Sequence, residues 1–170
     1  MTLYQIDVET PVGALAVTAS DEAVVGLRLP GAFGPHLDAV PGTGRPLLEE
    51  ARRELEAYFE GTLRAFDLPL APAGTEFQRA VWGKLLEIPF GETRSYGEIA
   101  RSLGRARAFR AVGAANGRNP IAVLIPCHRV IGSDGSLTGF GGGEEMKRFL
   151  LDHERRAAGA LRSRQAELFR

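Results

Sequence analysis

The chain has 170 residues, 44 % of them hydrophobic and 25 % charged, the make-up of a soluble globule of one ordinary domain or two small ones, and no apolar run approaches the ~18 residues of a membrane span. One cysteine and three histidines exclude an intramolecular disulfide and a Cys-rich zinc site, and the first residues carry neither the basic flank nor the apolar core of a signal peptide, so the expected address is the cytoplasm, with no metal and no membrane partner. The net charge of zero is made of two halves: residues 1–73 hold five basic and eleven acidic side chains, a net of −6, and residues 74–170 hold sixteen and ten, a net of +6.

The first third reads as strands. Leu3, Ile6 and Val8 alternate with polar residues, Pro11-Val12-Gly13 signals a turn, and Ala14 to Val17 and Ala23 to Leu29 follow as further strands. Pro and Gly crowd positions 30–46, which read as loop. Leu47, Leu48, Ala51, Leu55, Tyr58 and Phe59 recur at helical spacing, closed by Gly61. Residues 63–73 read as a Pro-rich linker. From Thr75 the pattern turns helical. Thr75 and Gln78 form a capping-box pattern ahead of Phe77, Val81, Trp82 and Leu85, and Ile88-Pro89-Phe90-Gly91 ends that helix. Ser95 caps a short helix through Leu103, and a second spans Ala108 to Asn116 with Gly117 as its stop; two short helices joined at Gly104 suggest a helix-turn-helix. Pro120 to Ile131 reads as apolar and extended, 132–143 as a Gly-rich loop, and Glu144 to Glu154 as helix. The tail from Arg155 to Arg170 is charged and takes no assigned role.

Between residues 94 and 129 seven arginines (Arg94, Arg101, Arg105, Arg107, Arg110, Arg118 and Arg129) accompany one acid, Glu98. Such a segment is either a polyanion-binding surface or a solvated face. The densest chemistry is Pro126-Cys127-His128-Arg129-Val130. A lone cysteine is usually a small buried hydrophobe, but a thiol beside a histidine can be a nucleophile, because the thiolate attacks and an imidazole can take its proton. In an extended segment neighbouring side chains point to opposite faces, so His128 is expected to reach Cys127 through a water or a bend.

Asn119-Pro120, the Pro126–Val130 motif six residues later, the Gly-rich loop and His153-Glu154 together resemble the O6-alkylguanine-DNA alkyltransferases, with Ser95-Tyr96 and Arg110-Ala111-Val112-Gly113 at that family's offsets. The match runs from about Phe77 to Glu154. The resemblance implies a small α/β N-terminal domain (sheet plus helix, residues 1–73 with the linker) and a mainly α C-terminal domain (74–170) with a helix-turn-helix of winged-helix type. It implies transfer of an alkyl group from guanine O6 in duplex DNA onto Cys127, without a cofactor and once per molecule, with O4-alkylthymine as a further substrate left open. His128 then draws the thiol proton, Glu154 holds His128, and Asn119 braces the helix-turn-helix against the active segment. Arg110 fills the gap left by a flipped nucleotide, Tyr96 rotates its phosphate, and the nearly bulk-free Ala111, Gly113 and Ala114 lie against the minor groove, with Arg129 also counted among the DNA contacts. Tyr96, Val130, Phe140 and Gly141 form the pocket. Phe140 and Gly141 depart from the hydroxyl-bearing aromatic and the serine expected there, and Ala122 stands where some members have proline. The expected partner is duplex DNA carrying alkylated bases, bound by a monomer, with cooperative assembly on DNA left open.

Two other classes compete. A non-enzymatic binder of alkylated bases would lack the cysteine, which Cys127 argues against. A helix-turn-helix regulator would need polar side chains on its recognition helix, and Ala111-Val112-Gly113-Ala114-Ala115 offers none.

Overall fold

A computed structural model of the chain describes residues 1–31 and 34–168, so Ala32 and Phe33 of the expected loop and the last two residues of the tail lie outside the described residues. Strands β1 (Tyr4–Thr10) and β2 (Gly13–Ala19) form an antiparallel hairpin in register from Tyr4 opposite Ala19 to Thr10 opposite Gly13. The alternation in β1 sets its faces: Ile6 and Val8 are buried, whereas Asp7 and Glu9 face water. With β3 (Val24–Arg28) and the short β4 (Val40–Pro41), which runs parallel to β1, they make a sheet of order β3-β2-β1-β4. Helix α1 (Pro46–Glu60) starts with proline in its first turn, ends at a left-handed Gly61, and lays Leu48, Ala51, Leu55 and Tyr58 onto β1 and β2.

The stretch expected to be a linker is fastened to the sheet. Val24 N–H donates to Pro69 C=O and Ala71 N–H to Val24 C=O, both at 2.8 Å, and further along the same edge Leu27 N–H donates to Pro120 C=O at 2.9 Å. The open edge of β3 is thus covered by main chain from 69–71 and from the C-terminal half, which satisfies donors that an edge strand otherwise leaves free. One apolar core runs through both halves, joining Val8, Leu15 and Leu27 of the sheet to Val81, Trp82 and the Ile121–Ile125 segment.

The C-terminal domain is helical. α2 (Glu76–Leu85) has the Thr75/Gln78 capping box, and α3 (Tyr96–Ser102) has another from Ser95 and Glu98. α4 (Phe109–Gly117) packs on α2 and α3, so α3 and α4 form the helix-turn-helix. β5 (Arg94–Ser95) pairs in parallel with β6 (Val130–Ile131), and α5 (Glu144–Leu168) closes the fold.

Three expectations differ from the structure. α4 does not stop at a left-handed Gly117; it runs through that residue to Arg118, whose φ is −101°. The 120–131 segment is not extended: Val123 takes φ +71°, and Cys127–Arg129 is a single 3₁₀ turn entered through Pro126. The side-chain hydrogen bonds that bend it come from Asn116 of α4 and from Asn119 just beyond it, and are invisible to local pattern. Finally, α5 does not end near Glu154 but continues to Leu168, since 155–168 is rich in Ala, Arg and Leu and contains no proline.

Candidate active site

Two asparagines shape the 3₁₀ turn. Asn116, in the last turn of α4, donates Nδ2–H to Cys127 C=O at 3.2 Å. Asn119 donates to Ile125 C=O at 2.8 Å and accepts from Ile121 N–H at 3.0 Å. Between them they fold the Ile121–Ile125 loop tightly enough to hold the β-branched Val123 in a left-handed conformation, where a side chain is strained. Cys127 is 4 % exposed and lines a cavity of about 450 Å³ whose walls include Trp82, Asn119, Ala122, Phe140 and Gly141, with Leu29, Gly34 and Pro35 contributed by the N-terminal domain.

Behind the thiol lies a buried charge cluster centred on Glu154 of α5. His128 Nε2 is 2.6 Å from Glu154 Oε2. Arg129 donates Nε–H to Oε1 at 2.8 Å and Nη2–H to Oε2 at 3.1 Å, and its Nη1 reaches Ile88 C=O at 2.7 Å. Gly91 N–H adds a bond to Oε1 at 3.2 Å. Gly91 has φ +82°, and a Cβ there would sit 3.0 Å from Ala158 Cβ, so glycine is what lets this backbone approach α5. A carboxylate accepts only, so Nε2 must donate its hydrogen to Oε2. That leaves the lone pair of neutral His128 on Nδ1, which is buried without a partner among the described protein atoms.

The electrostatics suit a base. Burial pushes the Cys127 thiol above its ordinary value, and the Asn119 hydrogen bond and the Lys147 charge only partly oppose this, so the thiol is protonated at rest. Burial lowers the His128 imidazole against the attraction of Glu154, which keeps it neutral. Burial alone would raise Glu154, but the charge and hydrogen bonds of His128 and Arg129 outweigh it and hold the carboxyl well below the usual carboxylate range. The resting state is therefore a thiol, a neutral imidazole and an ionised carboxylate. Lys147, buried on α5, donates Nζ–H to Thr138 C=O at 3.1 Å with its nitrogen 5.8 Å from the Tyr96 ring centre, and burial brings it down to about 8.

Of the residues singled out in the sequence, Cys127, His128 and Glu154 come together, and Asn119 supports the turn that carries them. Phe140 and Gly141 line the cavity. Tyr96 and Val130 are not among its described lining: the Tyr96 hydroxyl donates to Thr138 C=O at 2.6 Å, and Val130 is buried in β6 opposite Arg94. Arg110, Ala111 and Ala114 are exposed on α4, Gly113 packs beside the Tyr96 ring, and the guanidinium of Arg110 lies 5.8 Å from the exposed Phe109 ring. Arg129 is a correction. It is buried, and its donors go to Glu154 and Ile88, so it serves the charge cluster rather than DNA. The 3₁₀ turn is the reason, because it swings Arg129 to the same inner side as His128.

Sequence reading missed Asn116, Lys147, Tyr58 and the N-terminal part of the lining. A signal existed for one of them: Lys147, Leu150, Leu151 and Glu154 fall at helical spacing, which places the lysine on the buried stripe of α5.

A buried thiol on the same 3₁₀ turn as an imidazole–carboxylate pair, carried beside an arginine-bearing helix-turn-helix, is the arrangement of a thiol enzyme built on a DNA-binding fold. Residues 76–156 match the model of the 6-O-methylguanine DNA methyltransferase DNA-binding domain, and residues 2–72 match that of its ribonuclease-like domain. The methylated-DNA–protein-cysteine methyltransferase of Methanosarcina barkeri is 49 % identical over 163 residues, covering 89 % of this chain and 97 % of that protein. Its namesake from Mycobacterium bovis is 47 % identical over 157 residues, covering 90 % and 93 %. The crystal structure of Mycobacterium tuberculosis OGT in complex with DNA superimposes with a TM-score of 0.84 at 45 % identity, covering 92 % of this chain and 94 % of that one. The chain belongs to the methylated-DNA–protein-cysteine methyltransferase family, which repairs DNA by moving an alkyl group onto a protein cysteine.

Proposed function

We propose that this chain accepts an alkyl group, methyl above all, from guanine O6 of a nucleotide flipped out of duplex DNA, with Cys127 as the acceptor and each molecule acting once. The observation that carries this reading is the chain's sole thiol sharing a 3₁₀ turn with a neutral imidazole whose Nε2 is tied to Glu154 and whose Nδ1 has no partner among the described residues. The thiol proton passes to Nδ1, a water bridging where the reach demands it, and Glu154 stabilises the imidazolium. Sulfur then attacks the alkyl carbon in line: an S–C bond forms, the C–O6 bond breaks, and its electron pair stays with guanine. The proton held on the imidazole ends on the guanine, which balances the reaction without a cofactor. The thioether has no second thiol to resolve it. The deciding experiment is incubation with a duplex containing O6-methylguanine followed by intact-protein and peptide mass spectrometry, with a single methyl expected on the Cys127 peptide.

Repair should titrate one lesion per active molecule and stop. A progress curve that continues well beyond one equivalent excludes the single-use scheme.

A thiol this deeply buried reaches a base only after the nucleotide leaves the stack, and Arg110 is the exposed side chain on α4 suited to fill the gap. Arg110→Ala should lower the salt slope of binding by only about one unit, while losing the plug as well. Arg110→Lys keeps the charge and loses the planar stacking surface, so it should be impaired on duplex but near normal on a free alkylated base. Equal losses on both substrates would assign Arg110 to phosphate binding alone.

A further inference from the structure

Glu154 also receives a hydrogen bond from the other end of the molecule. Tyr58, on the inner face of α1, donates Oη–H to Glu154 Oε2 at 2.7 Å, and both side chains are fully buried. We propose that Tyr58 is a positioning residue for alkyl transfer: a neutral donor supplied by the N-terminal domain that fixes Glu154 Oε2 against His128 Nε2 and tunes how tightly the carboxylate holds the imidazole proton. The inference rests on the reading of Cys127 and His128 given above and deepens it.

The choice of oxygen is what distinguishes Tyr58 from an ordinary buried tyrosine that has found an acceptor. Oε1 is occupied by Arg129 Nε and Gly91 N–H, which hold the carboxylate in place. Oε2 is the oxygen that faces His128, and there Tyr58 and Arg129 Nη2 are the other two donors. An ionised carboxylate oxygen only accepts, so His128 donates Nε2–H to it in any case; what Tyr58 and Arg129 add is a fixed position for Oε2 and a smaller share of its negative charge left for the imidazole. Arg129 supplies charge. Tyr58 supplies a hydrogen bond without charge, and so lowers the basicity of Oε2 without adding a second cation beside the imidazole.

The phenol is held for this task. Its ring is flanked by Phe59, Phe66 and Phe90 at centroid distances of 5.0, 5.3 and 6.0 Å, and by His153 at 5.2 Å. His153, the neighbour of Glu154, bonds through Nε2 to Tyr58 C=O at 2.6 Å, so α5 is attached to α1 by main chain as well as by the hydroxyl. The other ionisable groups around the His128–Glu154 pair are Cys127 and Arg129 on the turn, Tyr58 on α1 with His153 against its ring, and Lys147 on α5, which acts on His128 and Cys127 through its charge.

Removing the phenolic hydrogen leaves more negative charge on Oε2. The resting imidazole then takes up a proton from solvent more readily, and an imidazole already protonated cannot accept one from the thiol. The sign is fixed: the acid limb of the transfer rate moves to higher pH. A more acidic phenol donates more strongly and moves that limb the other way.

The test is the pH dependence of transfer from a free O6-alkylguanine base, which leaves DNA binding out, for wild type, Tyr58→Phe and the protein carrying 3,5-difluorotyrosine at position 58. We expect the acid limb to rise by about half a pH unit or more in Tyr58→Phe and to fall in the fluorinated protein. Limbs that coincide with wild type, with only thermal stability changed, overturn the proposal and leave Tyr58 as an interdomain tie. Should Tyr58→Phe not fold, the fluorinated protein, which keeps the ring and hydroxyl, decides alone. A wild-type protein that takes up no alkyl group at any pH defeats the reading of Cys127 instead, so the two failures are distinct.

Discussion

Cys127→Ala should abolish alkyl transfer while leaving affinity for DNA within a few fold. Chemistry rests on one sulfur atom, the sole thiol of the chain, whereas the exposed arginines and α4 surface are untouched by the change. The residue is nearly buried, and alanine removes one heavy atom from a site that already borders a cavity, so the fold should tolerate it. Cys127→Ser is the sharper version. It keeps a polar atom in place, but a hydroxyl stays protonated where even the thiol is pushed up by burial, and His128 is too weak a base to ionise it. Both variants are measured by labelled-methyl uptake and by mobility shift on the same duplex. Methyl uptake by Cys127→Ala would remove the nucleophile from this residue altogether.

Glu154→Gln should cost about 3–5 kcal/mol of stability and about 10²–10⁴-fold in transfer rate. The amide keeps the volume, so packing is not the issue. Arg129 would be left buried with its charge unmatched, and the amide NH2 would face donors in either orientation, His128 Nε2–H and Tyr58 Oη–H in one and Arg129 Nε–H and Gly91 N–H in the other. Loss of the carboxylate also removes the attraction that supports an imidazolium, so the base weakens at the moment it is needed. Wild type should show the same cluster in its acid sensitivity. The fold disfavours protonated His128, so its contribution is complete above the ordinary value of ~6.5 and is lost as pH falls below it; Glu154 is held ionised, so its contribution is complete above ~4.3 and is lost further down. Chemical denaturation between neutral pH and pH 4 checks the sign, and stability that rises on acidification would contradict it.

Where hydrophobic pattern and caps act locally, the sequence is readable. The β1–β2 hairpin, α1 with its Gly61 stop, the capping box at Thr75 and the cap at Ser95 stand where their residues indicate. The motif Pro126–Val130 and the distant Glu154 stand out in the sequence through the family resemblance they carry, and the structure brings His128 and Glu154 together. What escapes is tertiary. Whether Arg129 faces DNA or Glu154 depends on a 3₁₀ turn imposed by Asn116 and Asn119, and no local propensity encodes it. Tyr58 fits its helical stripe as an ordinary core aromatic, and its hydroxyl gains meaning only when α5 arrives, 96 residues later in the chain. The linker hides its role similarly, since prolines signal an irregular path without revealing the sheet edge it follows.

The division of charge between the halves has a consequence for how the molecule meets a polyanion. With −6 on residues 1–73 and +6 on residues 74–170, no net attraction exists at a distance, and what remains is an orienting torque. At physiological ionic strength the screening length of about 8 Å is shorter than a domain, so near DNA each pole responds almost on its own. The basic pole is drawn in and the acidic pole is held off. Encounters are thereby aligned before any contact forms, and a collision with the wrong face is repelled rather than trapped. A chain with the same arginines and a neutral N-terminal half would carry a net positive charge and adhere more often, but in more orientations, and would need to let go and try again.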